Sequence, residues 1–285
     1  MEKSPAGHIG LISRRLNRES LVDGFYEDAD SLFVEAYDAF YRADLPQISD
    51  DTSFYAGLAE ETGGPLLELA CGTGRITLPL AEAGLEIAGA DLSEGMLKVA
   101  RTKSEALTEA ARAQLRLIHQ DMTALKLDER FKLALIPFRS FQHLLTREQQ
   151  WQALEGIRNQ LMPGGRLALH LFDPRFDFLI DEEVPTPGHS GVHPVTGRQY
   201  IGEILRTCFD HLAQVRRDVW RYAELGEDGE VLREATREMA LRWTYRWELH
   251  YLLKLCGFAV EAEYSDFNRT PPAYGKELIV VARRT

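Results

Sequence analysis

The sequence predicts an α/β fold: a seven-stranded, mostly parallel sheet with helices on both faces, an N-terminal helical cap, and an antiparallel β insertion before the last helix. Three observations predict it. Between residues 65 and 172, short apolar runs alternate with segments of helical spacing, and strands joined through helices run parallel. Successive runs end in glycine or acidic turns, where parallel sheets bind ligands. From 199 to 245, apolar and polar residues alternate around the turn Gly226-Glu227-Asp228-Gly229, which marks antiparallel strands.

Residues 1–18 carry no periodicity. From 19 to 42, Leu21, Phe25, Leu32, Phe33, Ala36, Tyr37, Phe40 and Tyr41 recur at three- and four-residue steps and predict a helix. Pro46 interrupts the pattern. A second helix is expected over 52–61, capped by Asp50, Asp51 or Thr52 and stopped by Thr62-Gly63-Gly64-Pro65. Strands follow at 65–70, 86–90, 114–119, 131–138 and 166–172. Helices lie between them at 74–83, ended by Gly84; at 93–107, with Ser93 as N-cap; and at 147–161, closed by Pro163-Gly164-Gly165. Residues 174–198 read as a long loop. Strands at 199–209, 214–225 and 231–245 form the insertion, a helix at 246–256 stops at Gly257, and strands at 258–264 and 276–282 complete the sheet. The expected organisation is a helical cap over 1–60, a ligand-binding core over 61–175, a loop and antiparallel β lid over 176–245, and a return to the core over 246–285.

Composition narrows the partners. The net charge is −11, which argues against nucleic acid, since binding it requires Lys and Arg to neutralise phosphates. The pairs Arg216-Arg217 and Arg283-Arg284 are short and read as solvated strand ends. No run approaches the ~20 apolar residues of a membrane helix, and the N-terminus lacks a leader-type apolar stretch. A cytoplasmic location with no membrane partner is the expectation. Three scattered cysteines, Cys71, Cys208 and Cys256, support neither a disulfide framework nor a structural zinc site.

The strongest motif is Leu66-Leu67-Glu68-Leu69-Ala70-Cys71-Gly72-Thr73-Gly74-Arg75. A strand enters a glycine turn and a helix follows. Gly72 and Gly74 let backbone N–H groups approach a ligand, and Glu68 can meet an amino group. The third glycine of a dinucleotide fingerprint is missing, which counts against NAD. Asp91 ends the next strand, where a carboxylate accepts from ribose hydroxyls. Asp121, followed by Met122, ends the third and suits an adenine amino group with an apolar neighbour. Any one of these acids could cap a helix. Three in this order beside a glycine turn suit one adenosine carrying an amino acid.

These segments, with Gly89-Ala90-Asp91-Leu92-Ser93-Glu94-Gly95-Met96-Leu97, Gln120-Asp121-Met122 and Leu161-Met162-Pro163-Gly164-Gly165-Arg166, resemble the ordered motifs of class I S-adenosylmethionine-dependent methyltransferases, in particular the small-molecule subgroup. The resemblance is close over about residues 60–175 and looser for the terminal strands. It implies a Rossmann-like fold, S-adenosyl-L-methionine as cofactor and S-adenosyl-L-homocysteine as product. It places Glu68, Ala70, Gly72 and Gly74 along the methionine part, Asp91 on ribose, Asp121 and Met122 on adenine, and Leu92 and Met96 against the ring. Ala70 stands where a first glycine is common. Tyr37-Asp38-Ala39-Phe40-Tyr41 resembles a segment that closes over the cofactor, although core packing explains Tyr37 and Tyr41 equally.

Methyl transfer is an in-line displacement that needs positioning first and a base only for a protonated acceptor. The acceptor-facing strand ends at Ile136-Pro137-Phe138-Arg139-Ser140-Phe141-Gln142-His143, which lacks the pattern of amino-purine enzymes and the acids of metal-dependent relatives. No metal is expected. Pro137 is a candidate cofactor contact. His143 is a candidate base or substrate contact, or a pocket-wall histidine. Arg139 could orient an acidic acceptor or pair with an acid. His170, Asp173 and Asp177 are further acceptor-side candidates, with His170 favoured as a core residue. The expected activity is methylation of an O or N atom on a small molecule. RNA or protein methylation and non-catalytic cofactor binding stand as alternatives, and a homodimer through the β lid is possible.

Overall fold

The computed structural model describes residues 31–41, 50–175 and 186–285. In chain order the helices are α1 (Leu32–Glu35), α2 (Tyr37–Phe40), α3 (Asp51–Thr62), α4 (Thr77–Glu82), α5 (Glu94–Ser104), α6 (Glu109–Ala113), α7 (Arg147–Gln160) and α8 (Arg246–Leu255). The strands are β1 (Leu66–Leu69), β2 (Ile87–Asp91), β3 (Leu115–His119), β4 (Phe131–Ile136), β5 (Leu161–Phe172), β6 (Thr186–Val192), β7 (Gln199–Asp210), β8 (Val215–Leu225), β9 (Val231–Arg242), β10 (Phe258–Tyr264) and β11 (Glu277–Arg284).

Seven strands form one sheet in the order β10-β11-β5-β4-β1-β2-β3. Strands β1 to β5 pair in parallel, and β11 runs antiparallel to both β5 and β10. The centre is apolar on both faces, as covered parallel strands require. Leu67, Leu69, Ile136 and Leu169 pack against α7 and α8 on one face. Leu66, Ile87, Leu133 and Ala168 pack against α3 and α4 on the other. From β1 the chain winds outward in one direction through β2 and β3, and in the other through β4 and β5. That reversal opens a crevice at the carboxyl ends of β1 and β4.

The remaining strands form a separate antiparallel sheet in the order β6-β7-β8-β9. Its inner face meets α1 and α2 in a cluster of Phe33, Phe40, Tyr200, Trp220 and Tyr222. Strand β6 lies inside the stretch expected to be loop. Its Pro187, Gly188 and Gly191 mask strand propensity, yet a Cβ on Gly191 would collide with the Ala39 carbonyl, so glycine is what lets the strand lie against α2.

Other departures have local causes. The helix expected over 19–42 is, where described, two single turns joined at Ala36, and residues 19–30 lie outside the described residues. Helix α4 starts at Thr77 rather than 74, because Gly72 and Gly74 adopt positive φ (55° and 82°) in an intervening turn. Strand β4 stops at Ile136, since Phe138 and Arg139 both enter the left-handed region. Strand β5 starts at Leu161 rather than 166, taking in the Pro163-Gly164-Gly165 segment expected to close the preceding helix. Helix α6 is five residues long, too short to leave a periodic signal, and is capped by Thr108. The expected Ser93 cap is present, accepting from Met96 N at 3.0 Å.

Gly89 shows how tightly the glycine turn is seated on β2. A Cβ there would lie 2.9 Å from Thr77 Oγ1 and 3.0 Å from Cys71 Sγ. Both neighbours are buried, so neither can move away cheaply. Gly89→Ala is expected to destabilise the fold by about 1–3 kcal/mol, read as a lower urea midpoint at unchanged slope.

Candidate active site

A cavity of about 1210 Å³ lies between the carboxyl ends of the parallel strands and the second sheet. It exceeds the roughly 300–1,000 Å³ of a pocket for one drug-sized ligand and has room for two bound molecules. Its floor includes Ala70 and Gly72 after β1, Asp91, Leu92 and Met96 from β2 and α5, and Asp121 and Met122 after β3. Another wall carries Phe138, Arg139, Ser140 and His143 after β4. Tyr37 and Tyr41 enter from the N-terminal segment, and His189, Tyr200, Asp218 and Trp220 from the second sheet. Three predicted residues, Glu68, Gly74 and Pro137, do not line the cavity.

Asp91 organises the floor. One carboxylate oxygen accepts from Gly72 N at 2.7 Å and the other from Ser93 N at 2.8 Å. The glycine turn and the start of α5 are thereby tied to the end of β2. Burial raises the Asp91 pKa, and the two amides oppose that shift. Asp121 accepts from Thr123 N through Oδ1 at 2.7 Å, and Oδ2 has no protein partner among the described residues. Ala70 sits at φ 56°, a conformation that suits the glycine it replaces and that costs a non-glycine residue on the order of 1 kcal/mol. Gly72, at φ 55°, leaves open the space a Cβ would fill, 3.9 Å from the Tyr37 hydroxyl. Two strand-end carboxylates and a glycine turn without side chains fit an adenosine bearing an amino acid.

Glu68 belongs beneath the floor. Its side chain is buried and accepts from Thr77 Oγ1. Burial pushes its pKa up to about 8, with the Thr77 hydrogen bond opposing. Gly74 packs instead on Leu78. Arg75 forms a bidentate pair with Asp51, with contacts of 2.7 and 2.8 Å, and lies 5.6 Å from the Phe138 ring centroid.

The turn after β4 is held from three directions. Arg139 N donates to His170 O at 2.9 Å, and its guanidinium pairs with Glu277 at 2.6 Å. Phe172 N donates to Gln142 Oε1 at 3.1 Å. Glu277 also meets His170 Nε2 at 2.8 Å. Burial would raise the Glu277 pKa, but the His170 hydrogen bond and the Arg139 charge outweigh it and hold the carboxyl below its ordinary value. Arg139 is therefore engaged by an acid of β11 rather than free for an acidic acceptor. These contacts stabilise consecutive positive φ angles at Phe138 and Arg139 (50° and 66°). His170 is fully buried in this network, and Asp173 accepts from Gly275 N at 3.2 Å. Asp177 lies outside the described residues.

His143 is exposed to the cavity, and desolvation by the protein around it lowers its pKa to about 4. It is neutral at pH 7, with a lone pair available. Tyr37 and Tyr41 do face the cavity, with ring centroids 4.6 Å apart, and Tyr41 lies 5.1 Å from Phe138. Asp38 binds Thr73 Oγ1 at 2.6 Å and Lys103 at 3.0 Å, fastening this segment to the glycine turn. Sequence reasoning missed Glu277 and Asp218. Their partners, Arg139 and Thr207, are 138 and 11 residues away, and no local spacing encodes such pairs. The alternation of β8 did carry one signal, since Arg216, Asp218 and Trp220 share a face.

The titration of Glu68 has a defined sign. Its folded value near 8 exceeds the unfolded value of 4.5. Its contribution is complete below about pH 4.5 and is lost as pH rises through 8, because the unfolded chain releases a proton that the fold retains. Glu68→Gln is expected to flatten the loss of stability between about pH 5 and 8 relative to wild type, measured by urea unfolding across that range. Parallel pH curves for the two proteins would contradict it.

Residues 66–165 match a family model described as a methyltransferase domain. The methyltransferase-type protein YqeM of Bacillus subtilis (strain 168) is 29% identical over 215 residues, 75% of this chain and 81% of that protein. The dTDP-3-amino-3,4,6-trideoxy-alpha-D-glucopyranose N,N-dimethyltransferase of Streptomyces venezuelae is 30% identical over 136 residues, 46% of this chain and 54% of that enzyme. The solved CcbJ methyltransferase from Streptomyces caelestis shares the fold, with a TM-score of 0.72 at 23% identity over 91% of this chain and 99% of that one. The matched domain spans β1 to the start of β5, the strands whose ends form the cavity floor. By this match residues 66–165 form a methyltransferase domain, and the seven-stranded sheet that contains it is Rossmann-like.

Proposed function

We propose that this methyltransferase acts on an O or N atom of a small-molecule acceptor, with the acceptor bound between the turn after β4 and the second sheet. The observation that carries this reading is the roof. Strands β6 to β9 bound the cavity on one side with His189, Tyr200, Asp218 and Trp220, opposite the ends of the parallel strands. The net charge of −11 disfavours a polynucleotide acceptor. The aminosugar N,N-dimethyltransferase relative is compatible with an amine acceptor.

In this reading Asp91 accepts from the ribose hydroxyls and Asp121 from the adenine amino group. Leu92, Met96 and Met122 flank the ring. Ala70, Gly72 and Tyr37 border the methionine part. S-adenosylmethionine held by these residues would supply an electrophilic methyl for the acceptor's lone pair, with the thioether of S-adenosylhomocysteine as the leaving group. His143, neutral above about pH 4, takes the proton that the acceptor gives up. Phe138 and Tyr41 exclude water from the transfer path, and the Glu277–Arg139 pair holds the turn that presents His143.

Calorimetry with S-adenosylhomocysteine tests the cofactor side. Asp91→Ala should weaken binding at least tenfold (~1.4 kcal/mol), because it removes the acceptor and releases the Gly72 and Ser93 amides. Unchanged affinity would remove Asp91 from the site. On the acceptor side, a panel of amino and hydroxy compounds is assayed for methyl transfer. On an acceptor that turns over, His143→Gln should lower kcat by about 10²–10⁴-fold with homocysteine-product affinity unchanged. An unaltered kcat would exclude His143 from proton transfer.

A further inference from the structure

Asp218 is an acid that the second sheet turns into the cavity. It is 3% exposed and lines the cavity, so the little surface it keeps faces that space. Its Oδ1 accepts from Thr207 Oγ1 at 2.7 Å and from Arg216 Nε at 2.9 Å. Its Oδ2 accepts from no group among the described residues. A carboxylate this deep ordinarily has both oxygens met, because an unmet one pays for its desolvation. Trp220 lies two residues further along the same face of β8 and also lines the cavity. It is 9% exposed, and its indole N–H is buried without an acceptor among the described residues. One acceptor and one donor left unmet on the same wall point to a ligand rather than to the packing of the fold.

Cross-strand register sets where that ligand sits. Asp218 is paired with Met239 of β9, and Arg216 with Leu241. Paired residues share a face, so the two apolar side chains flank the acid. Strand β9 also packs on the turn Ser140–His143. Asp218 and His143 therefore border one space from different elements.

Charge limits what can bind there. Arg139 is engaged by Glu277, and Arg216 by Asp218 itself. Arg237, paired with Trp220 across β9, stacks on Phe33 at 5.5 Å. An anionic group would find these arginines committed. A protonated amine would meet a carboxylate oxygen and the ring of Trp220. Charge-assisted hydrogen bonds are about twice as strong as neutral ones, and an indole ring attracts a cation.

We propose that Asp218 is the specificity-determining residue of the acceptor site and selects an amine, whose N–H donates to Oδ2 beside Trp220. The proposal rests on the acceptor lying between the turn after β4 and the second sheet, and it narrows the choice of O or N to nitrogen. A hydrogen bond through N–H leaves the lone pair of the neutral amine free, so the recognised group can be the one methylated.

Ligand-observed NMR titration of the full-length protein saturated with S-adenosylhomocysteine tests it. The probes are matched pairs, benzylamine with benzyl alcohol and cyclohexylamine with cyclohexanol. Each amine should bind at least about tenfold tighter than its alcohol, the size of one hydrogen bond to a charged group. In Asp218→Asn the preference should shrink to about twofold or less, and Asp218→Glu should restore part of it. Unfolding temperature and S-adenosylhomocysteine affinity are measured alongside and should stay near wild type. The wild-type preference should also fade as pH rises past the pKa of the amine, a readout that needs no variant. Equal binding of amines and alcohols, binding of neither, or a preference that survives Asp218→Asn would overturn the proposal. So would methyl transfer to hydroxy compounds and to no amine, which would leave the small-molecule reading standing. That reading fails separately, if S-adenosylhomocysteine does not bind or no compound of either series is methylated.

Discussion

The two hydrogen bonds that Asp91 accepts, from Gly72 N and Ser93 N, set the geometry on which the cavity floor depends. They fix the glycine turn after β1 relative to α5. They also keep a buried carboxylate at the edge of the space where a ligand would lie. Losing the carboxylate would leave two backbone amides unpaired in a largely dry environment, where an unmade bond costs more than a made one contributes. Gly89, one turn of the pleat earlier on β2, serves the same end by having no side chain to push Cys71 and Thr77 away.

The opposite wall is held by contacts from the far edge of the sheet. Glu277 of β11 accepts from Arg139, and this pair, with the Arg139 N–His170 O bond, secures two successive residues in a left-handed conformation. Such backbone persists only where its surroundings over-determine it. The consequence is that the turn bearing Ser140 and His143 leans into the cavity instead of continuing β4. The site is thus framed by residues of β1, β2, β4, β5 and β11, and its geometry is a property of the whole sheet.

The N-terminal segment joins the two halves of the cavity. Asp38 reaches Thr73 and Lys103 on the parallel-sheet side, while Phe33 and Phe40 pack on Tyr222 of the second sheet. Glu35 pairs with Arg233 on β9 as well. One short stretch therefore fastens floor to roof, and Tyr37 and Tyr41 extend from it into the space between. Packing and cavity lining are both served by the same aromatic residues.

The sequence by itself determined the parallel core, the order of its motifs and the cofactor class. An apolar run, a glycine turn and a strand-end acid are each encoded within a few residues, whereas the sheet order, reversed at β1 and with β11 between β5 and β10, came from the tertiary structure. Asp91, Asp121, Gly72 and Met96 were legible for that reason. Only the tertiary structure decided that Glu68 lies under the floor, that Arg139 is engaged by Glu277, that β6 joins the second sheet, and which aromatic residues meet across the cavity. Those outcomes depend on side chains brought together from distant segments. A strand's period of two says which residues share a face, but the identity of what stands opposite is settled only when the chain closes.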